Sequence, residues 1–343
     1  MSKGLVLVTG ANGYIAAKTV EAFLDAGYSV RGTVRRLSAG DEVAAALPQY
    51  ASQLSFIEVP DITVPGAFDE AVKGVDYVAH LAAPVSLFFT DPAPVLKGAI
   101  DGTLRALEAA ITEPRIKSFI FMSSIVATLG NYPHDYVYTE SDWNEFAIPL
   151  VEQLGAKAPS GAIYAASKTA AERTVWKFRD EKKPGFTITS VNPCLVAGPP
   201  LVVPASREKI GETYALPADV YVGKALEESG LPGASPGYVD VRDVARLVIY
   251  GVENPEKANN ERFIAASTYG PAQSVADILR KAYPERRGVI KEGTPGEGYE
   301  EGYTWPKGKG FDGSKAVRYT GQGWISWERT VVDTVEKLRP ILD

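Results

Sequence analysis

The chain has 343 residues, 45% of them hydrophobic and 23% charged, and its 42 acidic and 36 basic side chains leave a net charge of −6. This composition excludes a disordered or collagen-like chain, and the acidic balance argues against nucleic acid as a partner. A lone cysteine, two histidines, no membrane-length apolar stretch and no secretory signal lead us to expect a cytoplasmic protein with no metal and no membrane partner.

Short apolar runs alternate with helical patterns through the first half of the chain. The predicted strands cover residues 5–8, 28–34, 55–59, 77–82, 119–122 and 187–191, and the predicted helices cover 15–26, 67–72, 95–111 and 164–179. Strands separated by helices indicate a parallel sheet with helices on both faces. We therefore predict an α/β fold with a doubly wound parallel sheet in residues 1–192.

The second half of the chain is more irregular. Prolines interrupt it at positions 199, 200, 204, 217, 232 and 236, and residues 285–323 are rich in glycine, proline and aromatic side chains. A strand at 263–266 and helices at 275–282 and 328–338 are still predicted. We expect residues 193–343 to form a smaller, irregular, mainly substrate-binding part, with segments around 238–266 returning to the first domain.

A glycine-rich turn joins the first predicted strand to the first predicted helix. Gly10 permits a tight turn, Gly13 allows a pyrophosphate to approach the backbone, and Ala16 is small where helix meets strand. The free N–H groups and the dipole of the helix start would face the phosphates. This predicts a Rossmann-type dinucleotide site that begins with Thr9, Gly10, Ala11, Asn12, Gly13, Tyr14 and Ile15.

The end of the second predicted strand selects the dinucleotide. Enzymes that use NAD usually carry an acidic residue there, to hold the ribose 2′-hydroxyl. This chain instead has Arg35 and Arg36, whose guanidinium groups suit a 2′-phosphate. We therefore predict NADPH or NADP as the cofactor.

A phenol and an ammonium group lie one helical turn apart at Tyr164 and Lys168. Two further copies of the Tyr-x-x-x-Lys pattern fall in a proline-containing stretch at 303–307 and at the phosphate turn at 14–18. Because a nearby cation favours phenolate, we expect Lys168 to lower the pKa of Tyr164 and to make it a better proton donor. Ser123 and Ser124 end the fifth predicted strand, at the sheet edge where ligands bind.

These stretches resemble the extended short-chain dehydrogenase/reductases, within them the dihydroflavonol-4-reductase-like branch with its fungal and yeast NADPH-dependent aldehyde and ketone reductases. The resemblance covers nearly the whole chain and is strongest in the first 200 residues. Its matching stretches are 8–16, 34–35, 60–62, 80–84, 123–124, 164–168, 192–193, 198–199 and 238–245.

The resemblance implies roles for individual residues. Ser124, Tyr164 and Lys168 would be catalytic, and Lys168 would also hold the nicotinamide ribose. Further cofactor contacts would come from Asp61 and Ile62 beside the adenine, from Leu81, Ala82 and Ala83 on the nicotinamide side, and from Asn192, Pro193 and Leu195 near the carboxamide. The chain lacks the family's asparagine before Gly102 and Thr103, which puts an asparagine-based water relay in doubt.

Aromatic and small side chains in loops are candidates for the substrate pocket: Pro84, Phe88, Phe89, Trp143 and Tyr214. Asp91, Glu140 and Asp142 lie near them in the sequence, which favours a neutral small-molecule carbonyl substrate over a strongly anionic one. We expect His80 to be structural and the stretch 240–243 to pin a helix.

These observations predict an NADPH-dependent carbonyl reductase that converts an aldehyde or ketone to an alcohol, with Tyr164 as the proton donor. The alternatives are an epimerase of sugar nucleotides, a hydroxysteroid-type dehydrogenase, or a non-catalytic NADP-sensing protein. The physiological substrate, its direction and stereochemistry, the strictness for NADPH and the oligomeric state stay open.

Overall fold

The computed structural model of the protein describes residues 2–83, 89–130, 135–231 and 235–343. The strands are β1 (Leu5–Thr9), β2 (Ser29–Val34), β3 (Leu54–Glu58), β4 (Tyr77–His80), β5 (Ser118–Met122), β6 (Val137–Tyr138), β7 (Thr187–Pro193), β8 (Leu195–Ala197), β9 (Gly237–Asp240), β10 (Glu261–Ala265), β11 (Thr268–Tyr269) and β12 (Gly310–Phe311). The helices are α1 (Tyr14–Asp25), α2 (Asp41–Ala46), α3 (Pro92–Ala110), α4 (Ala147–Leu154), α5 (Ser160–Lys182), α6 (Ala215–Tyr221), α7 (Val241–Glu253), α8 (Pro255–Ala258), α9 (Ala272–Ala282), α10 (Ser314–Thr320) and α11 (Trp327–Leu342).

Seven parallel strands form the central sheet, in the order β10-β7-β5-β4-β1-β2-β3. In the register of its middle strands, Leu7 lies beside both Arg31 and Val78. The order of strands reverses at β1, which is the arrangement of a doubly wound Rossmann sheet. The predicted fold class, an α/β protein with a Rossmann-type doubly wound parallel sheet, is confirmed.

The strands are apolar because helices cover both faces of the sheet. All five residues of β5 are buried, and Phe119 and Ile188 belong to a core cluster that also takes in Leu107 of α3 and Val175 of α5. Along the part of the chain that the structure describes, no helix is both long enough and apolar enough to cross a membrane.

One predicted helix is wrong. Residues 67–72 form a series of turns, although Phe68 and Val72 are buried as the apolar pattern requires. The backbone bonds at the start of this stretch span three residues rather than four: the N–H of Ala67 donates to Val64 and that of Asp69 to Gly66, at 3.2 and 3.1 Å. Conversely, helices α2, α4, α6, α8 and α10 lie where we predicted no helix, and α7 begins within the stretch 240–243 that we expected to pin a helix.

The chain divides into two compact units. The first unit takes residues 1–131, 139–192 and 245–264 and holds the central sheet. The second takes 132–138, 193–244 and 265–343, with a three-stranded sheet of order β11-β9-β8 and a pairing of β12 with β6. Its core includes Trp327, stacked on Tyr238 with 4.8 Å between ring centroids.

Candidate active site

The glycine-rich turn has the shape of a phosphate cradle. Gly10 adopts φ +66°, and a Cβ there would lie 3.1 Å from the Cα of Ala82. A Cβ on Gly13 would lie 3.2 Å from the carbonyl oxygen of Gly10. No side chain caps the twelve-residue helix α1 at Gly13, and no acidic residue lies in its first turn. The residues present therefore fit the pyrophosphate of a dinucleotide.

Glycine also brings β2 against this turn. Ala11 donates its N–H to the carbonyl oxygen of Thr33 at 2.9 Å, and the N–H of Gly10 bonds the Thr33 hydroxyl at 3.1 Å. A Cβ on Gly32 would lie 2.6 Å from the Cβ of Ala11. The close approach fixes the turn, while Asn12 is exposed and Tyr14 and Ile15 are partly buried at the start of α1.

The two arginines predicted to hold a 2′-phosphate follow the end of β2 and are both exposed. Asp61, also exposed, accepts hydrogen bonds from the hydroxyl and the N–H of Thr63 at 2.7 and 2.8 Å, which hold the pKa of its carboxyl below the usual value. Ile62 is partly buried against α3, where a Cβ on Gly102 would lie 2.6 Å from its Cδ1. Arg35, Arg36, Asp61 and Ile62 thus keep their predicted cofactor roles as predictions.

The structure brings the three predicted catalytic side chains together. Tyr164 and Lys168 lie one turn apart on α5, and the Tyr164 hydroxyl is hydrogen-bonded to the hydroxyl of Ser124, just beyond β5. The Lys168 ammonium is buried and donates to the carbonyl oxygen of Met122 at 3.2 Å. This arrangement lies at the carboxyl ends of the sheet strands, where doubly wound folds bind their ligands.

Burial dominates the titration of this site. It raises the pKa of Tyr164 above its ordinary value, an effect that the hydrogen bond from Ser124 opposes only in part. The expectation of a phenol made more acidic by Lys168 is therefore wrong for this structure. Burial also lowers the pKa of Lys168 to about 8, against the opposing effect of Glu172. At neutral pH the phenol keeps its proton and the lysine is mainly charged.

The two serines at the end of β5 have different partners. The Ser123 hydroxyl donates to the carboxylate of Glu172 at 2.7 Å, so its single proton is already used. Ser124 turns the other way, toward Tyr164, and its hydroxyl oxygen also accepts from the N–H of Val126 at 3.4 Å. Of the two serines, Ser124 is thus the one directed toward Tyr164, and its catalytic role stays a prediction.

The residues predicted near the nicotinamide differ in surroundings. The N–H groups of Leu81 and Ala82 donate to the Thr9 hydroxyl at 3.0 and 2.9 Å, which ties them to the end of β1. Asn192 is fully buried, and its amide group is hydrogen-bonded to Ser190, to the carbonyl oxygen of Ser124 and to Glu172. Ala83, partly buried, and Pro193 and Leu195, in the second unit, keep their predicted roles as predictions.

His80 has a fixed tautomer. The Thr9 oxygen already accepts two N–H groups, so the Thr9 proton must go to Nδ1 of His80, 3.0 Å away. The imidazole is therefore neutral with its proton on Nε2, which is buried and unbonded among the described residues. Phe68, Phe119 and Phe121 surround the ring at centroid distances of 6.0, 5.9 and 6.1 Å. This is a packed core position, as expected from the sequence.

The buried imidazole makes stability depend on pH. Burial, with a smaller contribution from Lys168, lowers the pKa of His80 to about 3, whereas an unfolded histidine titrates near 6.5. As pH falls, the histidine is therefore protonated in the unfolded state first. The free energy of unfolding consequently decreases from about pH 6.5 down to about pH 3. We expect the advantage of wild type over His80→Gln, measured by urea unfolding, to shrink by about 2 kcal/mol from pH 8 to pH 5. Parallel pH dependence in the two proteins would contradict this.

The predicted pocket residues that the structure describes differ in their surroundings. Pro84 and Phe88 lie outside the described residues. Phe89 packs beside the cluster around Ile163, and Trp143 packs against the core of the first unit with the Arg262 guanidinium 4.0 Å from its ring centroid. Tyr214 is 5% exposed within the second unit. Trp143 is thus engaged in packing, and the pocket roles stay predictions.

The three carboxylates on which the prediction of a neutral substrate depends each accept a hydrogen bond from a backbone N–H. Asp91 accepts from the N–H of Ala93 at the start of α3, and Asp142 accepts from the N–H of Thr139. Glu140 accepts from the N–H of Ile264 at 3.2 Å. These side chains therefore do not decide the charge of the substrate.

Glu172 and Arg262 were not predicted from the sequence. Glu172 lies on the same face of α5 as Lys168, one turn further on, and is wholly buried with Arg262 as its ion partner at 2.7 Å. A charged residue four positions from a predicted catalytic lysine, on the alanine-rich side of a helix, was the available signal. The pairing itself cannot be read from the sequence, because Glu172 and Arg262 are 90 positions apart.

The chain is similar to known proteins along most of its length. Residues 6–266 match the NAD dependent epimerase/dehydratase family. Aldehyde reductase 2 of Sporidiobolus salmonicolor is 32% identical over 337 residues, which cover 96% of this chain and 95% of that protein. Gre2 of Candida albicans, solved in complex with NADPH, is 28% identical with a TM-score of 0.83 and 99% of each chain covered.

Vestitone reductase from alfalfa, Medicago sativa, is also similar: its structure has a TM-score of 0.76 at 26% identity, with 98% of this chain and 99% of that chain covered. The predicted resemblance to extended short-chain dehydrogenase/reductases of the dihydroflavonol-reductase-like branch is thereby confirmed. So is the predicted enzyme class, an NAD(P)-dependent oxidoreductase. The chain belongs to the NAD dependent epimerase/dehydratase family.

Proposed function

We propose that this protein reduces a neutral aldehyde or ketone with NADPH and that Tyr164 gives its proton to the carbonyl oxygen. The observation that carries the proposal is the hydrogen-bonded pair of Ser124 and Tyr164, with the buried ammonium of Lys168 one helical turn away. The coarser prediction, an NADPH-dependent reductase of carbonyl compounds, is confirmed by the reductases to which the chain is similar.

NADPH supplies the hydride when it is bound, and the chain supplies orientation and a proton. Ser124 would hold the substrate oxygen beside Tyr164, whose raised pKa keeps the phenol protonated at neutral pH. Lys168, charged at neutral pH, would stabilise the negative charge left on the phenolate oxygen after transfer. Arg35 and Arg36 would pair with the 2′-phosphate.

The remaining assignments are part of the same proposal. Residues 1–192 would bind the cofactor and residues 193–343 would mainly select the substrate. We also propose a cytoplasmic location, because Cys194 is a free, buried thiol for which burial raises the pKa, as suits a reducing compartment.

An assay of NADPH consumption tests the proposal. The panel comprises aryl ketones, keto esters, aldehydes and flavanonols, each in a neutral and a carboxylated form, with NADPH and with NADH. We expect turnover of neutral carbonyl compounds with preference for NADPH. NAD that stays bound through purification, together with no NADPH consumption, would instead favour an epimerase.

The two serines give a sharper test. Ser124→Ala should lower kcat/KM by about 10²-fold, because one preorganised donor to the reacting oxygen is lost. Ser123→Ala should lose less than about tenfold, since that hydroxyl bonds Glu172 rather than the substrate. Steady-state kinetics with a substrate from the panel measures both. Equal losses in the two variants would contradict the assignment of Ser124.

A further inference from the structure

Glu172 extends the line of reactive side chains on α5. Tyr164, Lys168 and Glu172 follow one another at intervals of four residues, so they share one face of the helix. The Glu172 side chain is 0% exposed. Burial alone would raise the pKa of its carboxyl, but Arg262, Ser123 and Asn192 outweigh burial and lower it. The group is therefore a buried carboxylate, not a carboxylic acid.

Donors from three neighbouring strands and from α5 itself converge on this carboxylate. Beyond β5, Ser123 donates at 2.7 Å; from β7, Asn192 donates at 2.8 Å; and from β10, Arg262 donates through Nε at 2.7 Å and Nη2 at 3.2 Å. The indole N–H of Trp176 adds a bond at 3.3 Å. One side chain thus joins the helix of the proposed catalytic pair to three adjacent strands.

The carboxylate also fixes the orientation of Asn192. Because a carboxylate only accepts, the Asn192 atom that faces Glu172 must be the amide nitrogen. That nitrogen also donates to the carbonyl oxygen of Ser124 at 3.3 Å, and the amide oxygen accepts from the Ser190 hydroxyl at 3.0 Å. Glu172 is therefore linked through one amide to the backbone of Ser124.

Stability alone does not explain such a site. A buried ion pair pays heavily in lost hydration, and well-packed apolar side chains of similar volume usually serve the fold equally well. Here the guanidinium of Arg262 is further held by the carbonyl oxygens of Glu140 and Asp142 at 2.7 and 2.6 Å. A buried hydrogen-bonded network around Glu172 and Arg262 therefore lies one helical turn from Lys168.

We propose that Glu172 is a positioning residue that holds Ser124 and Lys168 in their working arrangement, with Arg262 as its counter-ion. The inference rests on the proposed function of Ser124, Tyr164 and Lys168. Glu172 acts on Ser124 through Asn192, and on Lys168 through charge across one helical turn.

The titratable and charged groups around Lys168 define the expected pH effect. On α5 they are Tyr164 and Glu172; from β4 comes the neutral imidazole of His80; and from β10 comes Arg262, behind Glu172. Tyr164 keeps its proton beyond the range in which Lys168, with its pKa lowered to about 8, titrates. The loss of kcat/KM at alkaline pH in wild type should therefore report Lys168 and fall near pH 8.

Glu172→Gln removes the charge and keeps the shape. With Arg262 left unpaired nearby, the Lys168 ammonium is disfavoured, so we expect the alkaline limb of kcat/KM to move down by about one pH unit. At pH 7 kcat should fall about 10- to 100-fold through displaced catalytic groups. The dissociation constant of NADPH, measured by fluorescence titration, should change by less than about threefold, because the phosphate turn is untouched.

Asp240→Asn is the matched control. Asp240 is 1% exposed and paired with Arg242 at 2.8 Å, but it lies in the second unit. It should weaken folding without moving the pH limb. The proposal is overturned if Glu172→Gln lowers kcat/KM by the same factor at every pH. It is also overturned if this variant, like the control, only weakens folding and leaves the alkaline limb unmoved.

Arg262→Gln supplies a test of opposite sign that remains if Glu172→Gln fails to fold. Ser123 and Asn192 still donate to the Glu172 carboxylate when the guanidinium is removed. Its charge then acts on Lys168 without compensation, so the alkaline limb should move to higher pH. A downward shift or no shift overturns the proposal. The pKa of Lys168, followed by NMR of carbon-labelled lysine in the protein without NADPH, should move in the same directions in the two variants.

Tyr164→Phe is run beside these variants. Full turnover in it would refute the proposed chemistry itself. An inactive Tyr164→Phe together with a Glu172→Gln enzyme that resembles Asp240→Asn would refute only the positioning role of Glu172.

Discussion

Tyr164→Phe should lower kcat at neutral pH by about 10²- to 10⁴-fold, the contribution of a positioned general acid. The variant keeps the ring and removes only the hydroxyl that is bonded to Ser124. This phenol is expected to give the proton to the product oxygen, and phenylalanine has no such proton to give. The affinity for NADPH, measured by fluorescence titration, should change by less than about threefold.

Tyr283→Phe is the control for loss of a tyrosine hydroxyl. Its hydroxyl donates to Glu336 at 2.6 Å in the second unit. This variant should lose about 1 kcal/mol of unfolding free energy and keep its turnover. A fully active Tyr164→Phe enzyme would remove the phenol from the mechanism.

Lys168→Met should trade activity for stability. We expect kcat to fall at least about 10²-fold, because no cation then stabilises the phenolate that forms after proton transfer. The buried ammonium, however, destabilises the folded state, because its pKa is lowered to about 8, whereas an unfolded lysine titrates near 10.4. As pH falls, the lysine of the unfolded state is protonated first. The free energy of unfolding of wild type therefore drops by about 3 kcal/mol between pH 10.4 and pH 8, and it stays lower at more acidic pH.

Methionine has no proton to gain and a similar shape. Allowing about 1 kcal/mol for the lost bond to the Met122 carbonyl, Lys168→Met should be about 1–3 kcal/mol more stable than wild type at pH 7. Urea unfolding measures this, and the advantage should disappear above pH 10. Lys177→Met, at an exposed position of the same helix with 74% of its side chain accessible, should be nearly neutral. A Lys168→Met protein less stable than wild type at pH 7 would contradict the argument.

The features that the sequence predicted well are those in which neighbours along the chain are also neighbours in space. The turn at Gly10, the alternation of strands and helices, and the spacing of Tyr164 and Lys168 are local patterns with a local cause. The predicted helix at 67–72 was wrong because apolar spacing reports which side chains are buried, and Phe68 and Val72 are buried here in a series of turns.

The features that the sequence did not reveal depend on distant contacts. Glu172 and Arg262 come into contact only when β10 joins the sheet beside β7. The hydrogen bond from Asn192 to Glu172 likewise depends on the folded sheet. The direction of the Tyr164 pKa was likewise hidden, since it is set by how deeply the phenol is enclosed and not by its distance from Lys168 along the helix.

The shared carboxylate of Glu172 has a consequence for protein engineering. Because Ser123, Asn192 and Arg262 all depend on it, substitutions at these four positions should show strong epistasis, whereas distant exposed sites should combine additively. A saturation library that visits these positions one at a time would discard substitutions that are tolerated only in combination. Directed evolution of this enzyme should randomise the four as one block.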